Sequence, residues 1–84
     1  MSDDTIDEAI LNLTRYRGIR KTVCPSEVAR HLAPDWRPLM EPVRERARVL
    51  ARAGRIDITQ ASEAIDPNAD WRGPIRLRWR DSEG

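Results

Sequence analysis

The chain contains no phenylalanine, one cysteine (Cys24) and one histidine (His31) among its 84 residues. A single cysteine excludes an internal disulfide and any zinc motif built from several cysteines. No apolar run approaches the roughly 18 residues that a membrane span requires, and the acidic N-terminus does not resemble a signal peptide. We therefore expect a cytoplasmic protein without membrane contact, and the sequence implies no metal site and no cofactor.

The opposite charges of this chain nearly cancel. Charged residues make up 35% of it, yet the formal net charge is +1. Bulk charge therefore gives no argument for nucleic-acid binding. The distribution is uneven, however, because the charged residues among the first eight are all acidic and those of residues 15–21 are all basic.

Residues 3–17 predict a first helix, because apolar side chains recur there at spacings of three and four. Acidic residues in its first turn and arginines in its last suit the helix dipole, and Gly18 marks its end. In residues 19–23, apolar and polar side chains alternate briefly, which predicts a short edge strand. The predicted inner face of the helix consists of Ile6, Ala9, Ile10, Leu13 and Tyr16.

The stretch CPSEVARHLAPDW (residues 24–36) predicts a second helix followed directly by the start of a third. Pro25 fits the first helical position, and Pro34 ends the second helix. Asp35 is the predicted N-cap of a third helix that runs to Gly54. Pro42 lies inside that helix and predicts a kink or a split in its first turns. The predicted inner face consists of Trp36, Leu39, Met40, Val43, Ala47 and Leu50.

After the third helix the apolar period changes to two. Residues 55–60 and 75–80 predict an antiparallel hairpin with a long loop, in which Asp57 and Thr59 face outward. The order of these helices and strands along the chain predicts an α+β fold, mostly α. It is that of a winged helix-turn-helix, with three helices and a two- to three-stranded antiparallel wing. Residues 3–80 would form this single domain, and residues 81–84 a polar C-terminal tail.

Four segments carry a resemblance to a known family: CPSEVAR (24–30), DWRPLM (35–40), VRERARVLARAGRIDITQ (43–60) and RGPIRLR (72–78). With them the chain resembles the small bacterial winged-helix domains catalogued as domain of unknown function 3253. The resemblance extends from about residue 6 to residue 80. It implies the fold and a bacterial origin, and it implies no activity.

The predicted third helix carries arginines along its outer face. In DNA-binding winged helices this helix enters the major groove, and arginine suits both guanine edges and phosphates. Basic side chains before the second helix would add phosphate contacts that set the orientation of the protein on the duplex. The candidate contacts to double-stranded DNA are therefore Arg20, Lys21, Arg37, Arg44, Arg48 and Arg52.

Two features favour another interpretation. Glu41 and Glu45 lie three residues before Arg44 and Arg48, a spacing typical of ion pairs on a solvated helix. The long loop between residues 61 and 74 has three acids and one base, whereas a wing that grips phosphates should be basic. The second hypothesis is a protein-interaction or homodimerisation module that contacts its partner through Trp71 and the wing, without nucleic acid.

No catalytic site emerges from the sequence. Cys24 stands at a helix N-terminus, where a thiol pKa can fall, but His31 lies seven residues further along the same helix. That separation is about 10 Å along the axis, so the two side chains cannot act together. We therefore expect that the protein is not an enzyme.

Overall fold

The computed structural model describes residues 1–80, and the predicted tail (81–84) lies outside that part. The helices of the described part are α1 (Asp3–Arg17), α2 (Pro25–Leu32) and α3 (Met40–Arg52), with a 3₁₀ turn at Arg37–Leu39. The strands are β1 (Ile56–Gln60), β2 (Glu63–Ala64) and β3 (Arg76–Trp79). The fold is α+β and mostly α, as predicted. None of the described helices has the length and apolar character needed to span a membrane.

The predicted bounds of α1 are confirmed, but one residue of its predicted inner face is wrong. Tyr16 is 90% exposed, whereas Thr14 is buried and its hydroxyl donates to the Ile10 carbonyl oxygen at 2.8 Å. Tyr16 follows Ile10 by six residues, which rotates it about 120° away from the core, while Thr14 is rotated by only about 40°. The spacing of three from Leu13 therefore misled the sequence prediction.

The second helix ends where the sequence predicts. Ala33 has extended backbone angles directly before Pro34, because the proline ring disfavours a helical residue in front of it. At the other end, the Glu27 carboxylate accepts a hydrogen bond from the Cys24 backbone N–H at 3.2 Å. This bond satisfies an N–H at the helix start that has no partner within the helix.

The third helix begins later than predicted, and Asp35 is not its N-cap. The chain first forms the 3₁₀ turn at Arg37–Leu39 and becomes α-helical at Met40. Pro42 is then the third residue of α3, in the first turn, where its missing N–H would have had no intrahelical partner. The predicted helix is thus divided into the 3₁₀ turn and α3, but the division lies before Pro42, which is itself part of α3.

Strand β1 is the centre of an antiparallel sheet of order β2–β1–β3. Its register with β3 places Asp57 opposite Arg78, and the two side chains form an ion pair of 3.0 Å. The predicted edge strand at 19–23 is reduced to one bridge, between Val23 and Leu77 on β3. Thr59 was predicted to face outward and is buried, and the hydrogen bond that its hydroxyl donates to the Arg76 carbonyl oxygen at 3.4 Å satisfies the polar group there.

The short strand β2 was not predicted. It is reached through a two-residue turn in which Ala61 and Ser62 both have positive φ, 50° and 70°. Tight hairpin turns of this kind normally carry Asn or Gly at those positions, so the sequence contains no turn signal there. The remaining loop, residues 65–75, returns across α3 before β3 begins; we refer to it as the 65–75 loop.

The core lies between the three helices and the inner face of the sheet. An ion pair ties α1 to α3 at its edge: the Arg46 guanidinium donates to both carboxylate oxygens of Asp7 at 2.7 Å. The buried apolar side chains are those of Ile6, Ala9, Ile10, Val23, Val28, Ala29, Val43, Ala47, Leu50, Ile56, Ile58, Ile75 and Leu77.

Candidate nucleic-acid interface

The turn between α2 and α3 holds two arginines against one tryptophan. The guanidinium carbons of Arg30 and Arg37 lie 4.6 and 4.7 Å from the centroid of the Trp36 ring. Trp36 is half-buried against the core, whereas both arginines are exposed. Within residues 1–80, no carboxylate pairs with either guanidinium. This group, the corner cluster, therefore presents two positioned cations at the start of the third helix.

Sequence reasoning identified Arg37 but missed Arg30. Arg30 lies in the last turn of α2 and Arg37 in the 3₁₀ turn, so only the angle between the two elements brings both to the same ring. The spacing of Arg30 and Trp36, six residues apart across a turn, matches no motif. The sequence places only Arg37 next to Trp36 and gives no signal for Arg30.

Arg44, the second predicted contact, lies in the first half of α3. It is half-buried, and its guanidinium carbon is 6.0 Å from the Trp71 ring. It lines a cleft of about 190 Å³ with Glu41, Glu45, Arg48, Asp70 and Trp71. Glu45 pairs with Arg48 at 3.9 Å as predicted, while the predicted Glu41–Arg44 pair is not among the ion pairs of residues 1–80. Negative and positive charge thus alternate in this cleft.

Arg48 and Arg52 bind the 65–75 loop. Arg48 donates to the Ala69 carbonyl oxygen at 3.0 Å, and Arg52 donates to the Asn68 side-chain oxygen. The loop is held from its own side by the Trp71 indole N–H, which donates to the Asp66 carbonyl oxygen at 3.1 Å. The second half of α3 is therefore covered by an acidic loop. Contact of Arg48 and Arg52 with DNA stays a prediction, and both side chains would then have to release the loop oxygens to which they donate.

Arg20 and Lys21 are exposed in the turn after α1, at the far end of α2 from the corner cluster. The eight residues of α2 separate the two places by about 12 Å. Within the described part of the chain, neither base has an ion-pair partner. Both therefore remain candidate phosphate contacts, separate from those near Trp36.

Beside that turn, Glu27 joins two arginines. It accepts a hydrogen bond from Arg17 at 2.7 Å and lies 4.0 Å from Arg76. The hydrogen bond from Arg17, helped by the backbone N–H of Cys24, lowers the pKa of the Glu27 carboxyl below its usual value despite partial burial. Glu27 thus neutralises part of the positive charge on this side of the domain.

Cys24 and His31, the two residues considered above for catalysis, lie in different surroundings in the structure. The Cys24 sulfur is half-buried and lies 3.1 Å from the Ser26 hydroxyl oxygen, and His31 is exposed. No group of three His, Cys, Asp or Glu side chains in residues 1–80 is arranged to hold a metal ion. Neither Cys24 nor His31 therefore belongs to a group that could bind a metal ion in the described part of the chain.

Comparison with known proteins gives a family without an assigned activity. The model of the family described as "Protein of unknown function (DUF3253)" matches residues 3–80, which confirms the resemblance carried by the four segments. No curated protein matches the sequence. The chain belongs to the DUF3253 family of proteins of unknown function.

Proposed function

We propose that this domain is a winged helix that binds double-stranded DNA through the corner cluster. The order of elements supports the proposal. Three helices precede a hairpin, and the segment between α1 and α2 contributes the Val23 bridge to β3, so that β3 lies between it and β1. In DNA-binding domains of this type the start of the third helix faces the duplex, and the corner cluster lies at the start of the third helix here.

The observation that carries the proposal is the placement of Arg30 and Arg37 over Trp36. Stacking on an indole fixes the plane of a guanidinium and leaves its N–H donors free at the edge. The two side chains are thus partly ordered before binding, which lowers the entropic cost of a contact. Phosphate oxygens accept strong, charge-assisted hydrogen bonds from such donors.

The distribution of charge supports the same partner. Residues 9–80 contain fifteen basic residues (Lys and Arg) and eight acidic residues. Two of the four acids that precede them, Asp3 and Asp7, are paired with Arg46. Residues 9–80 therefore carry an excess of positive charge that phosphates could neutralise, although the net charge of the full chain is only +1.

Base-specific contacts are not part of the proposal. Glu41 and Glu45 are exposed on the first turns of α3, where they would meet the acceptor atoms of guanine and adenine unfavourably. We expect contacts chiefly with the phosphate backbone, made by the corner cluster and Arg44 and supported by Arg20 and Lys21. Such binding is salt-dependent and depends little on base sequence.

A second candidate function is a protein-interaction module. The observation that favours it is the acidic 65–75 loop bound to Arg48 and Arg52, because it covers the part of α3 that a DNA-binding domain would expose. In a domain that does not bind DNA, the loop could stay on Arg48 and Arg52 permanently. The two functions differ in whether a duplex binds at all.

The test is a fluorescence anisotropy titration of a random-sequence duplex at two salt concentrations. Three proteins are compared: the natural domain, the double variant Arg30→Ala/Arg37→Ala and the matched double variant Arg72→Ala/Arg80→Ala. Arg72 and Arg80 are also exposed, and no other side chain of residues 1–80 forms an ion pair with them, so both double variants lose the same charge.

We expect the natural domain to bind, with an affinity that falls steeply with salt. The corner variant should bind more weakly, and its salt slope should be smaller by about two, one for each lost phosphate contact. The matched variant should lose less affinity. Equal losses in both double variants would contradict the assignment of the corner cluster, and flat titrations of the natural domain would contradict DNA binding and leave the second candidate.

A further inference from the structure

The exposed side of α1 forms a second surface, away from the corner cluster. Asp4, Glu8, Leu11 and Arg15 follow one another at spacings of four, three and four, so they share one face of the helix. We call this row the α1 stripe. Together with Trp79 it borders an open groove of about 330 Å³, which also touches Asp7, Asn12 and Arg55.

The two ends of the α1 stripe carry opposite charges that the domain itself does not pair. Asp3 and Asp7 are bound to Arg46, but among residues 1–80 Asp4 and Glu8 have no ion-pair partner. At the other end, Arg15 lies 5.9 Å from the centroid of the Trp79 ring and has no carboxylate partner in the same part of the chain. The stripe is thus acidic at one end and basic at the other.

The middle of the α1 stripe is apolar. Leu11 and Trp79 are only partly buried, and both line the groove between the charged ends. An apolar centre with a charged rim is the usual composition of a protein interface. Exposed ion pairs alone contribute little, so the apolar centre would have to contribute to any association here.

We propose that the α1 stripe is the interface of a homodimer in which α1 packs antiparallel to α1 of a second copy. Positions 8 and 15 are equally distant from the midpoint of residues 11 and 12. A two-fold axis at that midpoint places Glu8 of each copy beside Arg15 of the other, with the two Leu11 side chains near the axis. A dimer with two-fold symmetry requires one patch that complements itself, and the α1 stripe has that property.

A second copy fits this surface better than a partner of one charge. An acidic partner would satisfy Arg15 and repel Glu8, and a basic partner would do the opposite. Only a partner with the same polarity in reverse satisfies both ends, and α1 itself is such a segment. The inference concerns a surface other than the corner cluster, so it does not depend on DNA binding.

Sedimentation velocity without DNA tests the dimer with charge-reversal variants. The natural protein should be a dimer at low salt and dissociate as salt is raised. Glu8→Arg alone places two arginines together at both contacts, and Arg15→Glu alone places two glutamates together. Each variant should dimerise at least about tenfold more weakly, since like charges at an interface are strongly unfavourable.

An equimolar mixture of the two variants is the decisive sample. In a mixed dimer, the altered residue 8 of one copy meets the altered residue 15 of the other, and the natural pair of Glu8 and Arg15 forms at the second contact. Both contacts then join opposite charges, so the mixture should recover dimers. Glu63→Arg, an equal charge change on the exposed strand β2, should leave dimerisation unchanged.

Circular dichroism of each variant checks that α1 is intact, so that a folding defect is not mistaken for a lost interface. A natural protein that remains monomeric at low salt and high concentration would overturn the proposal. So would a folded Glu8→Arg variant that dimerises normally, or a mixture that stays as monomeric as its two components.

Discussion

The guanidinium carbon of Arg48 lies 4.1 Å from the ring centroid of Trp71, so an arginine on the outer face of α3 is occupied by the loop that follows β2. The same guanidinium donates to the Ala69 carbonyl oxygen. Two kinds of contact from one side chain hold the 65–75 loop on the helix. The part of α3 available to DNA is consequently its beginning, next to the corner cluster.

Trp71→Ala should loosen the 65–75 loop. The substitution removes the ring under Arg48 and the hydrogen bond to Asp66, and we expect a loss of stability of about 1–2 kcal/mol. Amide hydrogen exchange should accelerate at residues 66–70 and remain unchanged in α1. Arg72→Ala, an exposed neighbour, serves as the control and should not change exchange. Unaltered exchange in the Trp71 variant would show that other contacts hold the loop.

Leu77→Ala and Tyr16→Ala should differ widely in their effect on stability. Leu77 is fully buried in β3 beside Ile58 and Val23, so its truncation should cost about 2–5 kcal/mol. Tyr16 is exposed and its removal should change stability by less than about 0.5 kcal/mol. Urea unfolding followed by circular dichroism measures both. Ile58→Val, expected to cost about 0.5–1.5 kcal/mol, keeps the test informative if Leu77→Ala does not fold.

The ion pair of Glu27 should make stability depend on acid pH. Its pKa in the folded domain is lowered from 4.5, chiefly by the hydrogen bond from Arg17. A lowered carboxyl pKa stabilises the fold above the unfolded value, and this contribution is lost as pH falls through the folded pKa. The Tm difference between the natural domain and Glu27→Gln should therefore be present at about pH 6 and shrink below about pH 4.5.

Glu63→Gln is the matched control for that experiment. Glu63 is exposed on β2 and forms no ion pair with any residue of the described chain. Its Tm should follow that of the natural domain at every pH. A Glu27→Gln variant whose Tm difference is constant from neutral to acid pH would contradict the role given to the Arg17 ion pair.

Arg46→Lys should lower the stability of the domain, although the substitution keeps the positive charge. Arg46 donates two parallel hydrogen bonds to Asp7, which raises the pKa of the guanidinium and joins α1 to α3. A lysine ammonium cannot form this two-pronged contact. The midpoint of urea unfolding should fall in both Arg46→Lys and Asp7→Asn, with an unchanged slope. A lysine variant as stable as the natural domain would show that charge alone is sufficient.

Much of the fold could be predicted because its signals are local. The charges and Gly18 marked the ends of α1, Pro25 and Pro34 marked those of α2, and the change of period marked β1 and β3. The errors arose where tertiary contacts decide. The turn to β2 uses Ala61 and Ser62 in a conformation that these residues rarely adopt, and Thr59 is buried although it lies on the polar side of the alternation in β1.

The candidate site was less predictable than the fold. The arginines of the third helix were visible as a row, but their partners come from distant parts of the chain. The contact of Arg52 with Asn68 depends on the path of the 65–75 loop, and that of Arg30 with Trp36 on the angle between α2 and the 3₁₀ turn. No spacing within the sequence determines either geometry.

DNA binding by the corner cluster can be tested by an NMR titration of the ¹⁵N-labelled domain with a random-sequence duplex at low salt. The indole N–H signals of Trp36, Trp71 and Trp79 report on three separate places in the domain. We expect the Trp36 signal and the amides of residues 30–44 to shift, and the Trp79 signal to stay in place. A Trp36 signal that stays unchanged at saturating duplex would contradict DNA binding by the corner cluster.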